Sequence, residues 1–377
     1  MTKQIQKEWE MVKLEEIIDY IKGKKPEKMI EENKEGFLPY LSTEYLRNNG
    51  KTKFAKLSEK IVSISDNDLI LLWDGANAGE LFIGKKGILS STMVKIQSTN
   101  KMLNQKFLFY SLKLKENYLR GQTKGTGIPH VDKNVLNNIN LEIPPLPEQK
   151  KIAEVLSAVD EGIGKVDEAI KKTERLKNGL MQKLLTRGIG HREFKNTEIG
   201  RIPKEWEIVE LGEILNLEYG RGLPEKLREG GEYPVFGSNG TVGSHSQYLV
   251  EGPGIVVGRK GTIGAIAWTE KNFWPIDTTY YTKLINLKTD LKWLFYKLSS
   301  LNLSKLNMAT GTPGLNRDIA YKRKFSFPGF PEQRRIAGIL ADVDRKIELE
   351  RKRKGKLERI KKGLMDDLLT GRKRVKI

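Results

Sequence analysis

Two stretches of the chain place apolar residues at alternating steps of four and three. In the first, Ile152, Leu156, Val159, Ile163, Val166, Ile170 and Thr173 keep that rhythm. It predicts a long helix whose apolar stripe packs on another helix, as the a and d positions of a heptad repeat do. In the second, Ile336, Leu340, Val343, Ile347, Leu357, Ile360, Leu364 and Leu368 are expected on one face. Glu350 and Lys354 stand where the first stretch has Val166 and Ile170, which predicts imperfect pairing or fraying there. Pro147 and Pro331 open the two helices, where a missing N–H has no intrahelical acceptor to lose. Glu148 and Glu332 follow, favourable at the positive end of the helix dipole, and Gly188 and Gly371 mark the stops. Gly162 and Gly164 weaken the first helix and permit a bend. A stripe this long outruns what one small domain covers, and the other copy is the natural partner.

The helices are the near-constant part of a longer repeat. Residues 144–187 and 328–371 align without a gap, with nearly half of their positions identical. Lys7-Glu8-Trp9-Glu10 echoes Lys204-Glu205-Trp206-Glu207, and Phe107-Leu108-Phe109-Tyr110 echoes Trp293-Leu294-Phe295-Tyr296. Two tandem units of about 190 residues follow from this, each with a variable first part and a constant last part.

The variable parts, 1–143 and 198–327, carry short apolar runs broken by Gly, Pro, Asn and Asp, the pattern of strands and turns. Asp68–Trp73, Met93–Ile96, Gly254–Val257 and Gly264–Trp268 read as strands, 103–117 and 290–299 as short helices, and 188–204 as a polar linker. Each half has three loop clusters. The first half has Ser42-Thr43-Glu44-Tyr45, then 73–79 with Asp74 and Asn77, then 123–127 with Lys124, near His130. The second has Gly237-Ser238-Asn239-Gly240-Thr241, then Gly258-Arg259-Lys260-Gly261-Thr262, then 309–313 ahead of Asn316 and Arg317. Glycine permits close backbone approach, and the polar side chains offer donors and acceptors suited to phosphates and base edges. Any one of these loops also reads as a plain turn; their recurrence in both halves favours a paired binding surface.

Charge gives that surface a partner. The chain has 377 residues, 67 Lys and Arg against 48 Asp and Glu, and a formal net charge of +19, which suits nucleic acid. The second helical stretch is the more basic: residues 331–374 hold fifteen Lys and Arg against eight acids, and 147–190 hold nine against seven. Cysteine is absent and histidine numbers three, which excludes disulfides, thiolate catalysis and Cys-based zinc sites. No apolar run is long enough for a membrane span and the N-terminus lacks a secretory pattern, so a cytoplasmic protein is expected. Gly79–Lys86 approaches a phosphate-binding loop, but Lys86 stands where a magnesium-binding hydroxyl belongs. Gly237–Gly243 matches a dinucleotide fingerprint only loosely, and no Asn/Asp-Pro-Pro-aromatic methyltransferase motif occurs. No catalytic residue and no metal site is expected.

The chain resembles the specificity subunit of type I restriction-modification systems. The resemblance is carried by the duplicated P-x-x-PEQ-x-x-IA-x-x-L-x-x-VD start (144–160, 328–344) and GLM-x-x-LLT end (179–186, 363–370). Residues 198–212, Tyr233–Gly240 and Val257–Gly261 add to it. It implies an α+β protein in which two globular β-rich target-recognition domains are separated by two long antiparallel conserved helices forming a coiled coil. The expected bounds are 1–143 and 191–327 for the domains, the latter with its linker, and 144–190 and 328–377 for the helical regions. It also implies that each domain reads half of an interrupted double-stranded DNA site. Two adenine methyltransferase subunits would bind the conserved regions, motor-nuclease subunits would complete the complex, and S-adenosylmethionine, ATP and magnesium would belong to those partners. The first half has Leu38-Pro39-Tyr40-Leu41-Ser42-Thr43 in place of the second's Tyr-Pro-Val-Phe-Gly-Ser-Asn-Gly, so two different half-sites are expected. Ser42, Thr43, Tyr45, Asp74 and Asn77 are the candidate base readers of the first domain, and Ser238, Asn239, His245, Arg259 and Lys260 those of the second. Lys85, Lys124 and Arg317 are candidate phosphate contacts. The coiled coil, with Ile152, Leu156, Val159, Ile163, Ile336, Leu340, Val343 and Ile347 on its seam, would act as a ruler. A stand-alone regulatory or architectural DNA binder built on a coiled coil is the alternative.

Overall fold

The computed structural model describes residues 9–48, 50–125, 127–228, 230–306 and 314–376. Lys7, Glu8, Thr126 and the 309–313 cluster lie outside the described residues. The chain divides into two compact units, one of 1–167 with 352–377 and one of 168–351.

Both units repeat one plan. In the first, a four-stranded antiparallel sheet runs in the order Ile18–Lys22, Met93–Ser98, Leu69–Leu72, Leu81–Ile83. In the second, the matching order is Leu215–Tyr219, Thr279–Leu284, Gly254–Gly258, Ile266–Thr269. Leu69–Leu72 and Gly254–Gly258 are buried at every position, which explains why these runs are apolar throughout rather than alternating. Each unit adds a second sheet, of four strands in the first and three in the second, with one parallel pairing, Tyr40 with Ile88 in the first and Val235 with Trp274 in the second. Each also closes its globular part with a two-stranded ribbon just ahead of a long helix: Glu10–Lys13 on Asn140–Ile143, and Glu207–Glu210 on Lys324–Phe327.

The long helices run Leu146–Arg187 and Phe330–Leu368. The second shows no break at Glu350 and Lys354, where imperfect pairing or fraying was expected; the seam is polar there, with Lys354 reaching Asp167 at 2.7 Å. In the first unit, the start of the first helix packs against the end of the second: Ile152 and Leu156 share a core with Met365 and Leu368. In the second unit, Leu184 and Leu185 share a core with Ile336 and Leu340. Within each unit the cross-helix ion pairs run in opposite order along the two helices, Asp160 with Lys361 and Asp167 with Lys354 in the first, Lys177 with Asp344 and Glu174 with Arg351 in the second, so the pairing is antiparallel. Val159, Ile163 and Val343 are half-buried and Ile347 buried.

One seam position differs from expectation. Ile360 is 43% exposed, and the four-three rhythm passes from Leu357 to Lys361 and then Leu364. Lys361 keeps its ammonium at 2.6 Å from Asp160 and over the Tyr110 ring. Its counterpart Lys177 does the same with Asp344 and Tyr296. A long cationic side chain can hold an apolar position when its head finds a partner at the edge.

Candidate nucleic-acid interface

The duplicated Pro-Glu-Gln motif fastens each long helix to the globular part that precedes it. Gln149 donates to Pro144 O and Met102 O and accepts from the Asn104 amide, at 2.8–3.1 Å. Gln333 repeats this with Pro328 O, Lys288 O and the Asp290 amide. Asn104 and Asp290 in turn cap the helices Gln105–Leu114 and Leu291–Ser300, satisfying an orphan first-turn N–H. Glu148 is fully buried and accepts from Trp9 Nε1 and from the Arg374 guanidinium. Glu332 accepts from Trp206 Nε1 at 2.9 Å and lies 2.9 Å from His191 Nε2. The motif therefore ties each long helix to its own globular part. Helix-dipole compensation, the reading of Glu148 and Glu332 from sequence, is the smaller part of what they do.

In the second unit, the strand Gly254–Gly258 ends against the 237–240 turn. A Cβ on Gly258 would lie 2.1 Å from Thr262 O and 2.9 Å from Ser238 O, so only glycine lets the two loops meet. Ser238, Asn239, Gly258 and Ala265 line a cavity of about 150 Å³ between them. Arg259 leaves this junction with Nε and Nη2 donating to Asp277 O at 3.1 and 2.9 Å. That contact occupies the side edge of the guanidinium and leaves its end-on pair of N–H groups for a ligand. Arg259 sits 5.1 Å from the Tyr219 ring, and Arg317 sits at the same distance from it. Tyr219 is 51% exposed and packs on Tyr280. Tyr280 donates to Leu315 O, and burial first, then Tyr219, pushes its phenol up to about 12. Leu315 N in turn donates to Arg259 O, and Asn316 caps Arg317–Tyr321. Arg259, Arg317 and Tyr219 thus form one cluster, with exposed Lys260 beside it. Among the described residues neither arginine has a carboxylate partner.

His245 stands elsewhere. It ends the strand Gly240–His245, about 20 Å along the hairpin from Asn239 at 3.3 Å per residue. Its ring meets Trp274 edge-on.

The first unit gathers its candidates differently. Asp74 pairs with Lys22 at 2.7 Å and bridges to His130 through the backbone. Lys124 bridges to the same His130 and reaches Asp132 at 2.6 Å, which lowers the Asp132 pKa. Asn77 accepts from Arg120 Nη2. Ser42 accepts from the Tyr45 amide, so its hydroxyl holds the start of the Thr43–Asn48 turn of helix. Tyr45 lies under the Lys85 ammonium, which also faces Tyr45 O and Leu46 O. Asp74, Lys124 and His130 come together, Tyr45 and Lys85 form a second pair, and Thr43 is half-buried beside Ser42. Tyr219, Lys22 and Arg120 were missed from sequence. Tyr219 shows as an aromatic residue ending a strand before Gly220-Arg221-Gly222, but only the fold puts two guanidiniums on it.

The same architecture recurs in known proteins. The family model for the type I restriction modification DNA specificity domain matches residues 6–174 and 203–359. The chain is 40% identical to the type I restriction enzyme MjaVIII specificity subunit of Methanocaldococcus jannaschii, over 99% of this chain and 94% of that one. A putative MjaX specificity subunit from the same organism is 28% identical over 65% of this chain and 62% of its own. The crystal structure of the type I restriction-modification S subunit from M. genitalium superposes with a TM-score of 0.70, at 19% identity and 96% coverage of both chains. The class is that of duplicated specificity proteins with an α+β fold. This chain belongs to the type I restriction-modification specificity subunit family.

Proposed function

We propose that the chain reads a bipartite, interrupted DNA site, one half with each globular part, and that other subunits perform the reaction. Residues 1–143 and 191–327 act as target-recognition domains, and 144–190 and 328–377 as helical regions that set the spacing. Those regions dock two adenine methyltransferase subunits, and motor-nuclease subunits complete the restricting complex. S-adenosylmethionine, ATP and magnesium belong to the partners, and this chain supplies no catalytic group.

The observation that carries this reading is the Arg259–Tyr219–Arg317 cluster. Two guanidiniums held against one aromatic ring, neither with a carboxylate partner among the described residues, suit a polyanion that also presents planar bases. Arg259, braced on Asp277 O, has the end-on fork that fits guanine O6 and N7. Arg317 suits a phosphate, as does Lys124 in the first unit. The first unit's Asp74, Lys22 and His130 offer both acceptors and donors, a different reading set and hence a different half-site.

Mapping methylated adenines in cells that carry the complex tests the proposal. Arg259→Ala should relax one position of one half-site, by about 1–3 kcal/mol of discrimination. Arg317→Ala should weaken binding to all sequences alike and flatten the salt dependence. Methylation patterns unchanged by both substitutions would remove the cluster from the reading surface.

A further inference from the structure

The second unit also holds a half-open cavity of about 870 Å³. The last turn of the first long helix, the Phe194–Thr197 and Gly200–Pro203 hairpin, and the strand Lys324–Phe327 wall it. At its floor is Lys297, 5% exposed. Its ammonium donates to Leu185 O at 2.8 Å and Ser326 Oγ at 3.0 Å, two neutral acceptors for three N–H groups. Burial without a carboxylate lowers the Lys297 pKa to about 8, as desolvation of a cation should. Besides Lys324, four more cations line the cavity: Arg187, Arg201, Lys322 and Arg323, all exposed. Among the described residues none of the four has an acidic partner. The one carboxylate in the wall, Glu198, is taken by Lys324 at 2.9 Å.

Nothing in the repeated plan requires this charge. In the parallel helix of the first unit, the residue one place after the aromatic run is Ser111, which bonds back to Phe107 O in its own helix. Lys297 is therefore particular to the second unit, although both units share the Pro-Glu-Gln frame. A buried amine with a spare donor, under a ring of unpaired cations, stores an unfavourable self-energy that an entering anion relieves.

We propose that this cavity binds a phosphate-bearing polyanion, with Lys297 at its floor and Arg187, Arg201, Lys322 and Arg323 holding it at the mouth. The volume falls in the range of small-ligand sites and fits a mononucleotide-sized molecule. Five cations against no spare acid call for several charges on one ligand, which polyphosphate supplies and a single carboxylate does not. Arginine forks match phosphate oxygens bidentately, and the Phe194 ring, 5.1 Å from the Arg201 guanidinium, gives an apolar flank. The phosphates could be those of a free nucleotide or of a DNA strand.

Tripolyphosphate titrated into the full chain, followed by calorimetry and thermal melting, tests this. Saturable one-to-one binding and a raised melting temperature are expected. The double variant Lys322→Ala, Arg323→Ala, confined to exposed side chains, should weaken it at least ten-fold, and Lys297→Met should abolish it. If Lys297→Met fails to fold, the exposed double variant decides alone. Displacement of the tripolyphosphate by a duplex lacking the target site assigns the phosphates to DNA; displacement by ADP but not by that duplex assigns them to a free nucleotide. Heats that do not saturate, or an affinity the double variant leaves unchanged, overturn the proposal. The readout does not depend on sequence-specific recognition.

Discussion

At the scale of single residues, the buried glutamates carry more than their place in the chain suggests. Glu148 has no exposure and two donors, Trp9 and Arg374, that reach it across 139 and 226 residues. Glu148→Ala should destabilise the first unit by about 2–3 kcal/mol, less than for a fully buried pair because the partly exposed Arg374 can rehydrate. Urea unfolding of Glu148→Ala beside Glu148→Gln measures it: the glutamine keeps an acceptor for Trp9 and should lose less. Equal stability of Ala and wild type would leave the glutamate with only its dipole role. The sequence held the clue, Trp9 and Trp206 in matching places ahead of matching glutamates, yet no spacing rule joins residues so far apart. Arg259 was legible as a loop cation. Its brace on Asp277 O was not, because a backbone carbonyl carries no sequence signal.

At the scale of elements, the helical rhythm was read almost entirely from the chain. Ile152, Leu156, Ile336 and Leu340 are all fully buried, as a four-three repeat demands. The exception, Ile360, shows where pattern reading fails: an isoleucine one place off the stripe looks apolar enough to belong, and a lysine on the stripe looks wrong. Asp160 and Tyr110 reverse that choice by giving Lys361 an ion pair and a ring. Ile360→Lys should accordingly change stability by no more than about 0.5 kcal/mol, whereas Leu340→Ala should cost about 2–5 kcal/mol. Chemical denaturation of the two variants distinguishes the registers; a large loss at Ile360 would restore it to the seam. The strands were legible as apolar runs between turn residues, but their order in the sheets was not, since sheet neighbours such as Leu215–Tyr219 and Thr279–Leu284 are far apart in the chain.

At the scale of the whole molecule, the division between units falls within both long helices, at 167/168 and 351/352. Each unit therefore owns about half of each helix, and neither helix belongs to one unit alone. At 1.5 Å per residue the 42-residue first helix is about 63 Å long, and under the proposed function that length is what spaces the half-sites. Adding one heptad to both helices, about 10 Å, should lengthen the unread gap by roughly 3 base pairs and leave both half-sites as they were. Methylated-site mapping of the insertion variant reads this directly; changed half-site letters would end the ruler model.

The chain by itself determined the duplication, the helical stripes, the strand-rich character of the variable parts and the basic charge, because each is a local or periodic property of neighbouring residues. Tertiary structure alone decided which loops meet, which cations lack acids, and that one motif clamps helix to domain in both units. Those depend on groups brought together from 18 residues apart, as Arg259 and Asp277 are, to 226, as Glu148 and Arg374 are, where close packing and the cost of an unpaired buried group, rather than spacing along the chain, select the partner.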